Sequence, residues 1–280
     1  METVQGNRHT PTVDGFGDEW TRFDQSALSP TERAQIFEMY FGIFPWNRLS
    51  RDARGFDAGC GSGRWASCVA PRVGELHCID ASHEALAVAR KNLADHQNCR
   101  FHHAGVDDMP LENGSMDFGY SLGVLHHVPD TAAGLRACVE KLKLGAPFLL
   151  YLYYALENRP FWYRLLWRGT NAVRQVISRS PYRLRYAASQ AIATTVYLPL
   201  ARTASLAERM GMDPTLIPLS FYRDRSFYTM RTDALDRFGT RLEKRFSRDE
   251  IAALMQSAGL ERIEFSESAP FWCAVGYRKR

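Results

Sequence analysis

The chain has 280 residues, of which 45% are hydrophobic and 24% charged, and its formal net charge is +4. This length suits one large domain or a core with an insertion and excludes a small disulfide-stapled domain. The apolar content excludes intrinsic disorder, and so small a net charge does not by itself indicate a nucleic-acid-binding protein. The six cysteines include no CxxC pair and no iron-sulfur spacing, and no apolar signal segment begins the chain. We therefore expect free thiols, no bound metal and a cytoplasmic protein.

The first 50 residues predict a helical cap. Ser29, Pro30 and Glu32 are typical of a helix start, and the predicted helix continues to about Phe41. Trp20, in the segment FGDEWTRF, is predicted to help cover the site and to contact an acceptor molecule. The same aromatic residues could instead pack against the later insertion.

Short apolar runs alternate with helical patterns from residue 54 onward. Strands and crossover helices in alternation predict a doubly wound, mostly parallel α/β sheet with helices on both faces. The predicted strands are 55–60, 75–80, 99–105, 116–123 and 146–154, and the predicted helices are 64–73, 82–96 and 131–145.

The C-terminal part predicts one more helix and a closing antiparallel strand pair. Ser247 and Glu250 form a capping box for a helix that Gly259 ends. Between this helix and the fifth core strand lie about ninety residues, too many for a loop. We therefore divide the chain into an N-terminal cap (1–50), a cofactor-binding core (51–154 and 247–280) and a helical insertion or lid (155–246).

A glycine-rich loop, DAGCGSG at 57–63, follows the first core strand. Its third glycine comes two residues after the second, so the dinucleotide fingerprint G-x-G-x-x-G fails, which argues against a nicotinamide cofactor. Asp80 ends the second core strand, where a carboxylate can accept both hydroxyls of a ribose. Asp57 would repel a pyrophosphate and attract an ammonium group. The pattern therefore predicts a cationic nucleoside ligand.

The loop DAGCGSGRW and the segment GVLHHVPD resemble those of class I S-adenosylmethionine-dependent methyltransferases. The resemblance covers about residues 54–153 and 247–278, and it implies a Rossmann-like fold and S-adenosylmethionine as cofactor. The family's adenine-binding aspartate falls at Gly105, so we expect the Val106 backbone and Asp107 to replace it. The other cofactor-binding residues that the resemblance implies are Asp57, Gly59, Gly61, Gly63, Asp80, Ala81, Ser121 and Leu122.

Two histidines follow the fourth core strand, which ends near the reactive methyl group in this family. His126 or His127 could act as a general base, because imidazole accepts a proton near neutral pH. Both could instead only pack the loop or contact the cofactor. Tyr222 in the insertion is a further candidate base. An acceptor thiolate or amine would need no strong protein base, because methyl transfer then depends mainly on positioning.

The insertion is strongly basic, with twelve arginines, no lysine and four acids between residues 155 and 232. Its arginines could clamp an anionic acceptor, rest on an anionic membrane to collect a lipid-like acceptor, or bind RNA. They could also merely solvate a lid whose aromatic residues form its core. We expect Arg223, Arg225 and Tyr228 to recognise the acceptor.

Together these patterns predict a methyltransferase acting on an oxygen, nitrogen or sulfur atom of a small organic acceptor. The alternatives are an RNA methyltransferase that uses the basic insertion, another S-adenosylmethionine-dependent reaction, and a nucleoside-binding regulator without catalysis. The patterns do not predict an oligomeric state.

Overall fold

The computed structural model describes residues 4–280, and side chains from residue 6 onward, so residues 1–3 of the predicted cap lie outside the described residues. The strands are β1 Val4–Gln5, β2 Arg8–His9, β3 Arg54–Ala58, β4 Glu75–Asp80, β5 Cys99–His103, β6 Phe118–Leu122, β7 Pro147–Tyr151, β8 Leu260–Phe265 and β9 Cys273–Arg278. β1 and β2 form a separate antiparallel hairpin.

The other seven strands form one sheet in the order β5-β4-β3-β6-β7-β9-β8. Strands β3 to β7 pair in parallel, whereas β9 is antiparallel to both of its neighbours. In this register Asp57 on β3 lies beside Cys78 on β4 and Tyr120 on β6. The predicted doubly wound sheet with a closing antiparallel pair is confirmed, and the carboxyl ends of its central strands meet at one edge.

The helices are α1 Thr10–Arg22, α2 Pro30–Phe41, α3 Ala66–Val69, α4 His83–Asn92, α5 Thr131–Lys141, α6 Phe161–Ile177, α7 Tyr182–Ile192, α8 Leu198–Arg209, α9 Phe227–Gly239 and α10 Arg248–Ser257. The predicted capping box is present: the Ser247 side chain accepts from Glu250 N, and the Glu250 side chain accepts from Ser247 N.

Three predicted helices are shorter than expected, and one of them, α4, ends at Asn92 rather than at residue 96. Helix α3 gives way after Val69 to a single 3₁₀ turn over Ala70–Arg72, because a proline at position 71 cannot donate a backbone hydrogen bond. Helix α5 ends at Lys141 rather than Gly145, since Leu142 is already extended. Gly145 has a φ of +79° and forms the turn into β7 instead.

The chain forms two compact units. The first contains residues up to 25, residues 33–157 and residues 242–280, and the second contains residues 26–32 and 158–241. The first unit holds the sheet and buries apolar residues on both of its faces. The second follows β7, where an insertion is predicted, and contains α6 to α9. None of the helices within residues 4–280 is long and apolar enough to cross a bilayer.

The second unit has its own small core and a continuous helical run. Helices α7 and α8 are joined by a π-helical segment, Ala193–Tyr197. Ala193, Tyr197 and Ala201 pack with Met230, Ala234 and Phe238 of α9. The apolar face of α6 is not part of this core: Leu165 and Val176 are exposed, whereas Arg174 and Ser178 are buried.

Two buried arginines stabilise the carboxyl end of α9. Arg174 Nη1 donates to the carbonyl oxygens of Thr240, at 2.7 Å, and Arg241, at 3.1 Å, and its Nε donates to Asn171. Arg185 Nη1 donates to the carbonyl oxygen of Gly239 at 3.2 Å. Cations at this position satisfy carbonyl groups that lack helical partners and interact favourably with the helix dipole.

Replacing Arg174 should therefore weaken the second unit. We expect Arg174→Ala to lower the free energy of opening of α9 by about 2 to 3 kcal/mol, since it leaves buried carbonyl groups without a donor. Hydrogen exchange of the α9 amides measures this quantity. Arg202 on α8 is exposed, so Arg202→Ala is the matched control. Equal protection of α9 in both variants would contradict the assigned role.

Candidate functional site

A cavity in the first unit opens at the carboxyl edge of the sheet. It has about 920 Å³ of empty space, which includes space open to solvent. Its walls come from the β1–β2 hairpin, helix α1, the glycine-rich loop and the segments that follow β4, β5 and β6. The lining residues are Asn7, Arg8, His9, Thr12, Val13, Phe16, Trp20, Gly59, Cys60, Gly61, Ser62, Arg64, Trp65, Asp80, Ala81, Ala104, Gly105, Val106, Leu122, Gly123, Val124, His127 and Val128.

The glycine-rich loop folds tightly over the end of β4. The N–H groups of Gly59 and Cys60 both donate to the Ile79 carbonyl oxygen, at 2.8 and 2.9 Å. Gly61 has a φ of +53°, and a Cβ atom there would lie 2.8 Å from Trp20 Nε1. Only glycine meets both conditions without strain. Trp20 was predicted to contact the acceptor, and it packs against this loop.

Asp80 is held by two backbone donors. Gly61 N–H donates to Oδ2 and Ser82 N–H to Oδ1, each at 2.8 Å. Burial raises the pKa of the Asp80 carboxyl above its ordinary value. Each carboxylate oxygen can accept more than one hydrogen bond, so Asp80 can still receive two vicinal hydroxyl groups. Its neighbour Ala81 also lines the cavity.

Asp57 lies beneath the loop rather than on the cavity wall. Its side chain is buried, and Oδ2 has no hydrogen-bond partner among the described residues. Burial raises the pKa of the Asp57 carboxyl well above its ordinary value. A buried carboxylate is costly unless a positive charge compensates it, so this position fits a cationic ligand.

Arg64 is a site residue that the sequence analysis missed. Its guanidinium lies 4.1 Å from the Trp65 ring centre and 6.0 Å from that of Trp20. Its Nε is buried without a hydrogen-bond partner among residues 4–280. A guanidinium held on indole faces with a donor to spare suits a carboxylate group of a ligand. The position of Arg64 directly after the glycine-rich loop is the sequence signal that could have identified it as a site residue.

The N-terminal hairpin explains the glycine at position 105. A side chain there would run into Arg8, which pairs with Asp108. Asp107 Oδ2 accepts from Asn7 N–H at 2.9 Å, and Asp107 lies outside the described lining, whereas Val106 is part of it. Asn7 also exchanges two 2.7 Å hydrogen bonds with the Asp130 backbone. No sequence motif in the first nine residues predicts these contacts.

The two predicted histidines have different surroundings. His126 is fully buried, is stacked on Tyr153 at 3.9 Å and lies outside the described lining. Burial, with the nearby His127 and Arg245, holds the pKa of His126 well below its ordinary value. His127 lines the cavity, and its ring lies 5.0 Å from that of Phe16. Of the pair, His127 is the histidine that can face a ligand.

The segment 242–246 fixes the histidine turn. His127 Nδ1 lies 2.6 Å from the Leu242 carbonyl oxygen, and the N–H of Lys244 donates to the carbonyl oxygen of His126. Lys244 Nζ donates to the carbonyl oxygens of Val128 and Pro129. A carbonyl oxygen can only accept, so Nδ1 of His127 carries a proton, and Nε2 carries the lone pair of the neutral ring.

The remaining predicted residues have structural contacts. Ser121 is buried, and its hydroxyl donates to the Ala58 carbonyl at 2.9 Å, while Leu122 lines the cavity. Gly63 has a φ of +75° and packs closely against Leu93. Tyr222, Arg223, Arg225 and Tyr228 belong to the second unit. There the Tyr222 hydroxyl donates to Asp233, and Arg223 pairs with Glu208.

The residues around the cavity fit S-adenosylmethionine. Asp80 suits its ribose, the buried Asp57 carboxylate suits a positive charge, and the Arg64 Nε donor suits a carboxylate. Positive-φ glycines let the chain pass close to a ligand. Among residues 4–280 no group of three or more histidines, cysteines or acids is arranged to hold a metal ion.

Known proteins resemble this chain in sequence and in fold. A family model described as a methyltransferase domain matches residues 56–150. The ubiquinone biosynthesis O-methyltransferase of Aromatoleum aromaticum is 31% identical over 129 residues, which are 42% of this chain and 55% of that protein. The protein of the same name from Xanthomonas campestris is 30% identical over 171 residues, 56% of this chain and 72% of that protein.

A solved SAM-dependent methyltransferase from Methanosarcina mazei shares the fold, with a TM-score of 0.50 and 16% identity over 85% of this chain and 98% of that chain. The chain spans about half the length of the first relative and about seven tenths of the second.

Removing the Asp80 carboxylate should weaken cofactor binding. We expect Asp80→Ala to cost about 1 to 3 kcal/mol of binding free energy for S-adenosylmethionine, because the hydrogen bonds to the ribose are lost. Calorimetric titration measures it. Asp95, a charged residue outside the cavity lining, provides the control variant Asp95→Ala. Unchanged affinity in Asp80→Ala would refute the ribose assignment.

The raised pKa of Asp57 predicts a pH-dependent stability. Below its ordinary pKa of 3.8 the carboxyl is protonated both folded and unfolded, so it contributes nothing. As the pH rises, the unfolded chain ionises first, and the ligand-free wild type loses stability until the folded carboxyl also ionises. Asp57→Asn should therefore have a higher melting temperature than wild type at pH 7, and this difference should become smaller toward pH 4. Thermal melts without ligand measure this, and a lower melting temperature of the variant at pH 7 would contradict it.

Proposed function

Because this chain belongs to the class I S-adenosylmethionine-dependent methyltransferases, we propose that it transfers the cofactor's methyl group to a nucleophilic atom of a small organic acceptor. The accepting atom is an oxygen, nitrogen or sulfur, with a hydroxyl oxygen favoured. The bound cofactor supplies an electrophilic methyl group on a positively charged sulfur atom.

The chain's own residues would hold and orient this cofactor. Asp80 accepts the ribose hydroxyl groups, and Arg64 donates to the carboxylate of the methionine part. The positive charge of the cofactor offsets the buried carboxylate of Asp57. The glycine loop, closed by Trp20, excludes water from one side. These contacts position the methyl group, and positioning supplies much of the acceleration in such a transfer.

The acceptor would lie against one wall of the cavity. Thr12, Val13 and Phe16 of α1 and Val128 of the histidine turn line the cavity together with His127. The Phe16 and His127 rings are adjacent. This wall is mostly apolar and has one imidazole, so it suits an uncharged ring with a hydroxyl group better than a multiply charged acceptor.

His127 is the observation that carries the proposal. Its Nδ1–H donates to the Leu242 carbonyl oxygen, which fixes the tautomer and leaves Nε2 basic. Nε2 of His127 would accept the hydroxyl proton as the acceptor oxygen takes the methyl group from the cofactor's sulfur atom. The products would be the methyl ether, S-adenosylhomocysteine with an uncharged thioether sulfur, and a protonated His127.

Two further observations favour an oxygen acceptor. A hydroxyl group needs a base at neutral pH, and the cavity provides one. The relatives described above are named O-methyltransferases. Recognition of the acceptor by Arg223, Arg225 and Tyr228, and a cytoplasmic location, remain predictions.

The test compares wild type with His127→Gln, using labelled S-adenosylmethionine and three probes: catechol, phenethylamine and thiophenol. We expect wild type to methylate catechol, and the variant to lose about 10² to 10⁴ of that rate while keeping its cofactor affinity. Phe16→Leu, which keeps an apolar wall, is the control for packing beside the imidazole.

Transfer to the amine or thiol alone would overturn the oxygen assignment. An equal rate in His127→Gln and wild type would overturn the role of His127 as base. If the protein bound the labelled cofactor but transferred no methyl group to any probe or to any component of a cell extract, the nucleoside-binding regulator would be favoured.

A further inference from the structure

Helix α6 carries an apolar stripe that is exposed. On a helical projection its members fall within an arc of about 140°. Phe161 is 68% exposed, Leu165 56% and Val176 72%. The other members of the stripe are Trp162, Leu166 and Val173, each between 47% and 48% exposed. A contiguous apolar surface of this kind indicates an interaction site.

The opposite face of α6 holds the helix in the second unit. Arg174 and Ser178 are buried there, and Arg174 donates to the carbonyl groups that follow α9. Trp167, on the same side, has the Arg237 guanidinium 5.6 Å from its ring centre. The helix is thus anchored by its polar face, and its apolar stripe is the side presented outward.

The charged residues along the chain on either side of the stripe have a single sign. Residues 158–207 include eight arginines and no lysine, aspartate or glutamate. Arg174 and Arg185 are buried, but Arg164 and Arg168 are exposed and border the stripe on the helix surface. An exposed apolar stripe with Trp and Phe, bordered by arginines, is typical of a helix that lies in a membrane interface.

We propose that α6 docks the second unit on an anionic phospholipid bilayer. The stripe inserts at the boundary between headgroups and acyl chains, and Arg164 and Arg168 pair with lipid phosphate groups. A second copy of the chain is the poorer occupant. Packing α6 against α6 would bring arginines together, and the fifty residues 158–207 offer no carboxylate to neutralise them.

The membrane contact is independent of the methyl acceptor, because no residue of the stripe lines the cavity. It would hold the enzyme where an apolar acceptor is most concentrated. Cofactor affinity in solution should therefore be the same with and without the stripe.

The experiment is co-sedimentation of the full chain with vesicles of phosphatidylglycerol and phosphatidylcholine, or of phosphatidylcholine alone. We expect wild type to bind the anionic vesicles at least about tenfold more tightly. Two double variants should each bind the anionic vesicles about tenfold or more weakly than wild type: Leu165→Gln with Val176→Gln, and separately Arg164→Gln with Arg168→Gln. Leu206 and Arg202 on α8 are also exposed, so Leu206→Gln with Arg202→Gln is the matched control.

Calorimetric measurement of cofactor binding checks that the first unit of each variant is folded. Hydrogen-exchange protection of the α9 amides checks that the second unit is folded. The proposal would be overturned if the wild type bound both kinds of vesicle equally tightly, or if the control variant lost as much vesicle affinity as the other two variants. The proposal would also be overturned if the wild type were a dimer, Leu165→Gln with Val176→Gln were monomeric, and neither the wild type nor any variant bound vesicles. That result would assign the stripe to a second copy of the chain. Methyl transfer to catechol in solution is a separate readout, so failure of the proposed reaction is distinguishable from failure of membrane docking.

Discussion

The hydrogen bond from Gly61 N–H to Asp80 links the glycine-rich loop to the end of the neighbouring strand, and the site is built around it. It requires β3 and β4 to end at the same level, which the parallel register ensures. It also holds the Asp80 carboxylate toward the cavity and brings the loop under Trp20. Because Gly61 needs a positive φ and lacks room for a side chain, the loop, the strand end and the covering helix all depend on one backbone position.

The sequence predicts the parts of the site that depend on local order along the chain. Strand ends, capping residues and the loop are set by neighbouring residues, so their patterns are visible, and the sheet and capping box agree with them. Contacts between distant segments leave no such pattern. Asn7 and Arg8 meet Asp107, Asp108 and Asp130 only because the hairpin folds over the segments that follow β5 and β6. The Arg64 guanidinium likewise lies near an indole from α1. His126 and His127 are adjacent in sequence and both are buried, yet the turn geometry places only the His127 ring in the cavity lining.

The second unit shows why charge and hydropathy counts mislead when the fold is unknown. The sequence predicts a helical insertion whose aromatic residues could form its core, but the apolar side of α6, which includes Phe161 and Trp162, is the exposed side. The buried side instead carries Arg174, since the carboxyl end of α9 needs donors more than it needs apolar contact. Arginines in this unit therefore divide into internal hydrogen-bond donors, such as Arg174 and Arg185, and exposed cations, such as Arg164 and Arg168. A net charge alone cannot separate the two groups.

The carbonyl that sets the tautomer of His127 belongs to Leu242, the first residue of the chain after it returns from the second unit. From there, residues 242–246 run beside the histidine turn and bridge to Tyr154. The chain between the two ends of the second unit can therefore vary in length and composition without disturbing this hydrogen bond, provided that the returning segment keeps its register. If a one-residue slip at this junction placed an N–H group opposite Nδ1, the neutral ring would carry its proton on Nε2 instead. The junction thus constrains how the second unit can change.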